Sequence, residues 1–437
     1  QTKNTNDVDI LLITNSVLQP AFDSYISYKT SVGYIVKTVL VDYINNNYSG
    51  QDLQEKIRNC IIDYYQNHNL ESVILGGDAD PANAGENIIP KRDLYAVDDQ
   101  LASDMYYAGL DGTWNNDGDD RWGEPGEADL YAEVTIGRIC ADKISEVQNA
   151  TNKLFMYQNS PVIADIEKTL MLGEELNSYT FGATYKDEIA DGGSSANGYT
   201  TVGIPAYFTV HKLYEQVANY DKTDIFNEFN TEGINLLNHL GHSNVTYNMK
   251  MYNSDLTTTN FTNDGVSRGY VIGYSQGCYN GSFDNRNTSG SYGGEDCFAE
   301  NITTLETAEV ACIANSRYGW YDPGGTNSSS QYYDRQFYDA IFGQNLSKIG
   351  DVNREAKEKD ITMIQNDQYM RWTAYETNLF GDPTMDIWTE APSDITATYP
   401  ANVPFGTSQI SVETDTPFAR ISFMQNDTLI GLSLIHI

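Results

Sequence analysis

Short apolar runs that recur along the first three quarters of the chain are what most limit its fold. They fall at residues 10–14, 73–75, 133–137, 169–172, 208–213, 234–237, 271–274 and 309–314. Runs of this length and character suit strands buried on both faces. Helical patterns lie between them: residues 52–67 put Leu53, Ile57, Ile61 and Tyr64 on one face, and shorter patterns fall near 184–190, 225–229 and 297–302. Strand and helix in alternation predict an α/β fold, a parallel sheet covered by helices.

A chain of 437 residues exceeds what one hydrophobic core usually serves, so a division is expected. Residues 1–142 read as one α/β subdomain and 143–389 as a second that carries the chemistry. From Pro392 onward Pro, Thr and Ser rise, and Ile410, Val412, Ile421 and Phe423 alternate with polar residues. That pattern predicts a small immunoglobulin-like β-sandwich over 390–431. The last six residues read LSLIHI, which a transposase mosaic-end adapter encodes in one frame. We therefore expect 432–437 to be adapter-derived and the sandwich to be truncated, and His436 enters no mechanism.

Acidic residues outnumber basic ones 61 to 26, a formal charge of -35. Such a field repels phosphate backbones and anionic headgroups, so nucleic acid and membrane surfaces are not expected partners. No run of about 18 apolar residues is present to span a bilayer. The five cysteines stand singly, without a CxxC pair, which points neither to zinc nor to a disulfide framework. Loops rich in Asn, Tyr, Gly and Asp suit an extracellular protein, and the first residues lack the pattern of a signal peptide, as a trimmed chain would.

Two strand ends concentrate reactive groups. Residues 238–243 read NHLGHS and residues 273–281 read GYSQGCYNG, each directly after an apolar run. A cysteine needs a neighbouring base to become a thiolate, and an imidazole at the end of an adjacent parallel strand can reach it. Cys278 differs from the apolar settings of Cys60, Cys140 and Cys312, where a thiol behaves as a small hydrophobe. His242 is favoured over His239 because Gly241 beside it leaves room for a substrate backbone. Gly273-Tyr274-Ser275-Gln276-Gly277 also matches the nucleophile elbow of α/β-hydrolases, but no histidine outside the tail follows Ser275, so that reading is set aside. Asp78 and Asp80, after the run at 73–75, are weaker ligand-binding candidates. Asn115, Asp117, Gly118, Asp119 and Glu124 have the spacing of an EF-hand-type loop, with Thr113 at its first position and Asp111 able to supply the missing oxygen, so a structural calcium ion is expected there.

The segments GINLLNHLGHSN and VIGYSQGCYNGSF resemble the His and Cys segments of the gingipain, or C25, cysteine peptidases. SDMYYAGLDGTW, DLYAEVTIGRI, DCFAENI and NLFGDPTMDIW resemble the same family in the expected order. The resemblance implies a caspase-like fold in two subdomains and a secreted cysteine endopeptidase of a Gram-negative bacterium that acts, as a monomer, on proteins or peptides. It implies a dyad of Cys278 and His242, completed by Glu175 or, one register away, Glu174. Backbone N–H groups of Ser243 and Cys278 would hold the oxyanion, although the family has Gly where Ser243 stands. The family's acidic specificity residue maps near Tyr185 or Lys186, neither acidic, so a preference for Arg or Lys does not carry over unless Asp187 or Glu188 substitutes. The opposing expectation is a catalytically silent surface-adhesion module.

Overall fold

A computed structural model of the chain describes residues 7–194, 197–404, 407, 410–416, 419–425 and 428–434. Ten strands form one sheet: β1 (Ile10–Thr14), β2 (Val36–Leu40), β3 (Ser72–Gly76), β4 (Thr135–Ile139), β5 (Lys168–Gly173), β6 (Thr209–Tyr214), β7 (Leu236–Leu240), β8 (Val271–Ser275), β9 (Glu309–Asn315) and β10 (Thr377–Phe380). Their order across the sheet is β6-β5-β7-β8-β9-β10-β4-β3-β1-β2. β1, β3, β7, β8, β9 and β10 are buried at every position, as strands covered on both faces should be.

The alternation read from the sequence is present, with helices α1 (Leu53–His68), α2 (Ile144–Asn159), α3 (Gly182–Asp191), α4 (Phe298–Thr304), α5 (Ser329–Phe342) and α6 (Gln368–Glu376) packed on the sheet. α1 starts where the Asp52 carboxylate accepts the Glu55 N–H at 2.8 Å and stops at Asn69, whose φ of 53° is left-handed. Both are ordinary helix ends.

The sheet consists of two parallel halves that run in opposite senses. β9 meets β10 antiparallel, with Cys312 opposite Phe380, whereas β10 pairs parallel with β4. The change of sense falls between β9 and β10, and the two halves are joined there without a break. β10, from the far end of the second stretch of sequence, lies beside the strands of the first. A Cβ on Gly137 would sit 2.3 Å from the Gly381 carbonyl oxygen, so the β4–β10 seam closes only over a glycine. Lys29 and Asp382, both 2 % exposed, pair at 2.7 Å across the same junction.

Because the halves oppose one another, their carboxyl ends face opposite edges. Asp78 and Asp80 follow β3 and are buried, on the edge away from the ends of β7 and β8. They therefore stand apart from Cys278. After Trp388 the described residues form two antiparallel pairs, Ala397–Thr398 with Glu413–Thr414 and Arg420–Gln425 with Thr428–Leu434. His436 lies outside the described residues. All five cysteines are free, and among the described residues no helix is long and apolar enough to cross a membrane.

Candidate active site

β7 lies between β5 and β8, parallel to both, with Leu240 opposite Gly173 and His239 opposite Ser275. The register offset between β7 and β8 is constant along this pairing, so the segments just past the strand ends, 241–243 and 276–278, leave the sheet side by side. The Gln276 N–H donates to the His239 carbonyl at 3.0 Å, and Ser243 Oγ donates to the Cys278 carbonyl at 2.6 Å. A Cβ on Gly277 would sit 2.3 Å from Ser243 Oγ, so glycine there allows the two loops to touch.

Gly241 has a different purpose from the one expected of it. A Cβ there would lie 2.2 Å from Glu174 Cδ and 2.5 Å from His239 Nε2. The space it leaves is filled by a carboxylate and an imidazole, not kept for substrate.

Cys278 is half-buried, its Sγ 3.8 Å from the Gly319 carbonyl oxygen. Burial, with Glu376 nearby, pushes its thiol up to about 12, so the thiol keeps its proton at neutral pH. The next residue, Tyr279, takes a φ of 59°, uncommon for a bulky side chain. It is held there by its N–H on the Arg317 carbonyl at 2.6 Å and by its ring against Tyr318. Backbone strain of this kind collects at functional sites. The His242 ring is exposed and hydrogen-bonds to nothing among the described residues. Its backbone N–H donates to Glu174 Oε2 at 3.1 Å.

Of the two candidate carboxylates, Glu174 faces this site and Glu175 does not. Glu174 is buried and reaches both the His242 N–H and, at 3.2 Å, His239 Nε2. Burial opposes its ionisation, but the hydrogen bond from His239, the charge of Lys250 and the His242 N–H outweigh that and hold it below the ordinary carboxylate range. Glu175 is exposed in the next short strand, its N–H 2.5 Å from a Glu215 oxygen. The chain turns outward as β5 ends, so adjacent residues face opposite ways.

The specificity candidates fare differently. Tyr185 is buried, and its hydroxyl accepts the Asp322 N–H at 2.7 Å and donates to the Asp322 carbonyl at 3.2 Å. It supports the 318–328 loop from beneath. The Asp187 carboxylate pairs with Lys212 at 2.7 Å and accepts the Tyr214 hydroxyl at 2.9 Å, both on edge strand β6. Glu188 is taken by Tyr199 and Thr326. Lys186 is fully buried against Asp334 at 2.7 Å, in a network in which Gln276 also donates to Asp334 and, at 2.9 Å, to Gln331. This network fixes the residue two before Cys278 from below.

Sequence reasoning missed the loop after β9. A Cβ on Gly319 would lie 2.1 Å from the Gln276 carbonyl oxygen, so the glycine presses on the Cys278 loop. Immediately beyond it a cleft of about 340 Å³ opens, lined by Trp320, Tyr321, Asp322, Ser328, Tyr332 and Tyr369. The run RYGWYDPGG, directly after an apolar strand, is the signal that could have found it.

In the acidic loop, Asp117, Asp119 and Glu124 bring oxygens within 4.8 Å of one another. Asn115 Oδ1 instead accepts the Gly118 N–H at 2.8 Å, shaping the turn, and Asp111 groups with Asp129 and Glu133. Partial burial and neighbouring Asp119 raise the Glu124 carboxyl, the crowding a cation would relieve.

Among solved structures the chain is similar to the Arg-specific cysteine proteinase gingipain R (16% identity, TM-score 0.75, covering 99% of this chain and 90% of that one). A complex of Porphyromonas gingivalis RgpB pro- and mature domains matches at 17% identity and TM-score 0.74, covering 98% and 91%. At such identities the likeness shows the fold. The comparison with curated proteins gives no match. The family model of peptidase family C25 matches residues 3–388, nearly all of the α/β part just described. This chain belongs to peptidase family C25.

Proposed function

We propose that the chain is a secreted, monomeric cysteine endopeptidase in which Cys278 is the nucleophile and His242 the general base. The observation that carries this reading is the junction of the two strand ends, where Ser243 Oγ bonds the Cys278 carbonyl and sets the two loops edge to edge. His242 takes the Cys278 proton and the thiolate attacks the peptide carbonyl carbon. The resulting oxyanion lies against the backbone N–H groups of Cys278 and Ser243, neither of which has a partner among the described residues. His242 then gives its proton to the leaving amine as the C–N bond breaks, and water releases the acyl group from sulfur. Glu174 is the carboxylate member, acting through the His242 main chain. The side chain before the scissile bond occupies the cleft beside Gly319. A calcium ion held by Asp117, Asp119 and Glu124 stiffens the acidic loop and takes no part in the chemistry.

The test is digestion of a mixed peptide library, with calcium and reductant, by the wild type and by Cys278→Ala. Cleavage lost in the variant supports the reading and reveals which side chain the cleft accepts. A folded wild type without turnover favours the adhesion module.

A further inference from the structure

Three residues before His242, within β7, is a second imidazole that the mechanism above does not use. His239 is fully buried in β7, with Nε2 3.2 Å from Glu174 Oε1 and Nδ1 2.9 Å from Ser275 Oγ. Ser275 Oγ also accepts the Gly277 N–H at 3.2 Å. A carboxylate only accepts and an amide N–H only donates, so both ends of this chain of hydrogen bonds have a fixed direction. The Gly277 amide donates to Ser275, the Ser275 hydroxyl donates to His239 Nδ1, and Nε2–H donates to Glu174. The competing acceptor for the hydroxyl, Asn248 Oδ1, is farther, at 3.4 Å. Glu174 uses its other oxygen for the His242 N–H.

One imidazole thus spans the two loops. On one side it reaches the main chain of His242 through Glu174, and on the other it reaches the amide next to Cys278 through Ser275. A Ser–His–Glu constellation of this kind also resembles a hydrolytic triad, but Ser275 is 3 % exposed and His239 0 %, so no substrate reaches the hydroxyl.

We propose that His239 is a positioning residue that sets the spacing of the His242 and Cys278 loops. The proposal rests on the Cys278–His242 reading. Its physical basis is that reacting groups must be held to within a fraction of an ångström, and a displacement of about 1 Å costs about 10²-fold in rate. The charged and titratable groups that face this chain are Glu174 itself, Lys250 with its partner Glu215, and Tyr220 and Tyr247.

The experiment compares the wild type with His239→Phe, His239→Gln and Ser275→Ala, each checked for a cooperative melt. Two readouts are taken: kcat and KM on the best library peptide, and the pH profile of Cys278 alkylation by iodoacetamide, followed by mass of the Cys278 peptide. The expected result is a kcat lower by about 10²-fold in His239→Phe with KM within about threefold, and a displaced alkylation profile. His239→Gln, which keeps a donor for Glu174, recovers at least about tenfold of that loss, and Ser275→Ala shows a smaller loss of the same kind. Wild-type kcat and an unchanged alkylation profile in folded His239→Phe overturn the proposal. If His239→Phe does not fold, Ser275→Ala decides in its place: an unmoved kcat and profile there overturn the proposal. Absence of turnover in the wild type instead defeats the peptidase reading, and the alkylation profiles then decide whether His239 sets the Cys278 loop.

Discussion

Ser243 and Cys278 stand 35 residues apart in the chain, yet Ser243 Oγ lies 2.6 Å from the Cys278 carbonyl oxygen. This bond uses the hydroxyl and leaves the Ser243 N–H to serve as the oxyanion donor proposed above, which would give side chain and backbone separate duties. Ser243→Ala should then cost about 1 kcal/mol of stability, the usual net worth of one hydrogen bond. It should lower kcat by less than about tenfold, because the N–H remains; loss of an oxyanion donor costs about 10²–10³. Urea melts alongside steady-state kinetics check both figures, and a loss in the larger range would mean that the hydroxyl itself meets the substrate.

Glu174 and Glu175 offer a sharper comparison, because they are neighbours that face opposite ways. Glu174→Gln removes the charge that bonds His239 and the His242 N–H, and should lower kcat by about 10² or more, by analogy with the loss of a triad carboxylate. Glu175→Gln changes an exposed group and should leave kcat and KM within about twofold. Kinetics on the two purified variants decide this, and the opposite ranking would return the catalytic role to Glu175.

Much of this arrangement is legible in the sequence. The runs at 73–75, 169–172, 271–274 and 309–314 fall inside strands, because a strand buried on both faces leaves an apolar signature. The helix at 52–67 is found within one residue at each end for the same reason, an amphipathic period with Asp52 at its start. Less legible is the stretch 329–376, where α5 and α6 bury Asp334, Arg335 and Glu376. Charged residues inside helices read as surface until the partner strand is known. β10 is short and defined by long-range pairing, so nothing local marks it as the seam between the halves. The preference for His242 over His239 rests on the space beside Gly241, and the structure fills that space with Glu174. The one-residue ambiguity between Glu174 and Glu175 arises because a sequence pattern does not show where β5 turns out of the sheet.

The calcium reading predicts a stability that depends on ion concentration. A ligand that binds only the folded state stabilises it by RT ln(1 + [L]/Kd), about 2.7 kcal/mol at a hundredfold excess over Kd. The thermal midpoint should rise with added calcium, fall with chelator, and lose that response in Asp119→Asn. Asp111→Asn is the control: it belongs to the separate group with Asp129 and Glu133, and an effect confined to it would move the ion to that group. Fluorescence melts over a calcium titration give the answer.

Behind the Cys278 loop, Asp284 is fully buried between Arg317 at 2.8 Å and Lys91 at 2.7 Å. Burial opposes its ionisation, but the two cations and their hydrogen bonds hold it far below the ordinary carboxylate range. Since the folded value lies below the unfolded one, near 3.9, the stability it contributes is fully present above about pH 4 and is lost as pH falls toward the folded value. Asp284→Asn leaves two buried cations with one charge partner removed, a change that typically costs about 3–5 kcal/mol. The variant should also lose stability less steeply than the wild type below pH 4, because one of the groups responsible for that slope is gone. Because the Arg317 carbonyl receives the Tyr279 N–H, activity should fall together with stability. Denaturant melts at pH 7 and between pH 2 and 4 test the claim, and parallel acid limbs in the two proteins would show that Asp284 is not what the acid titrates.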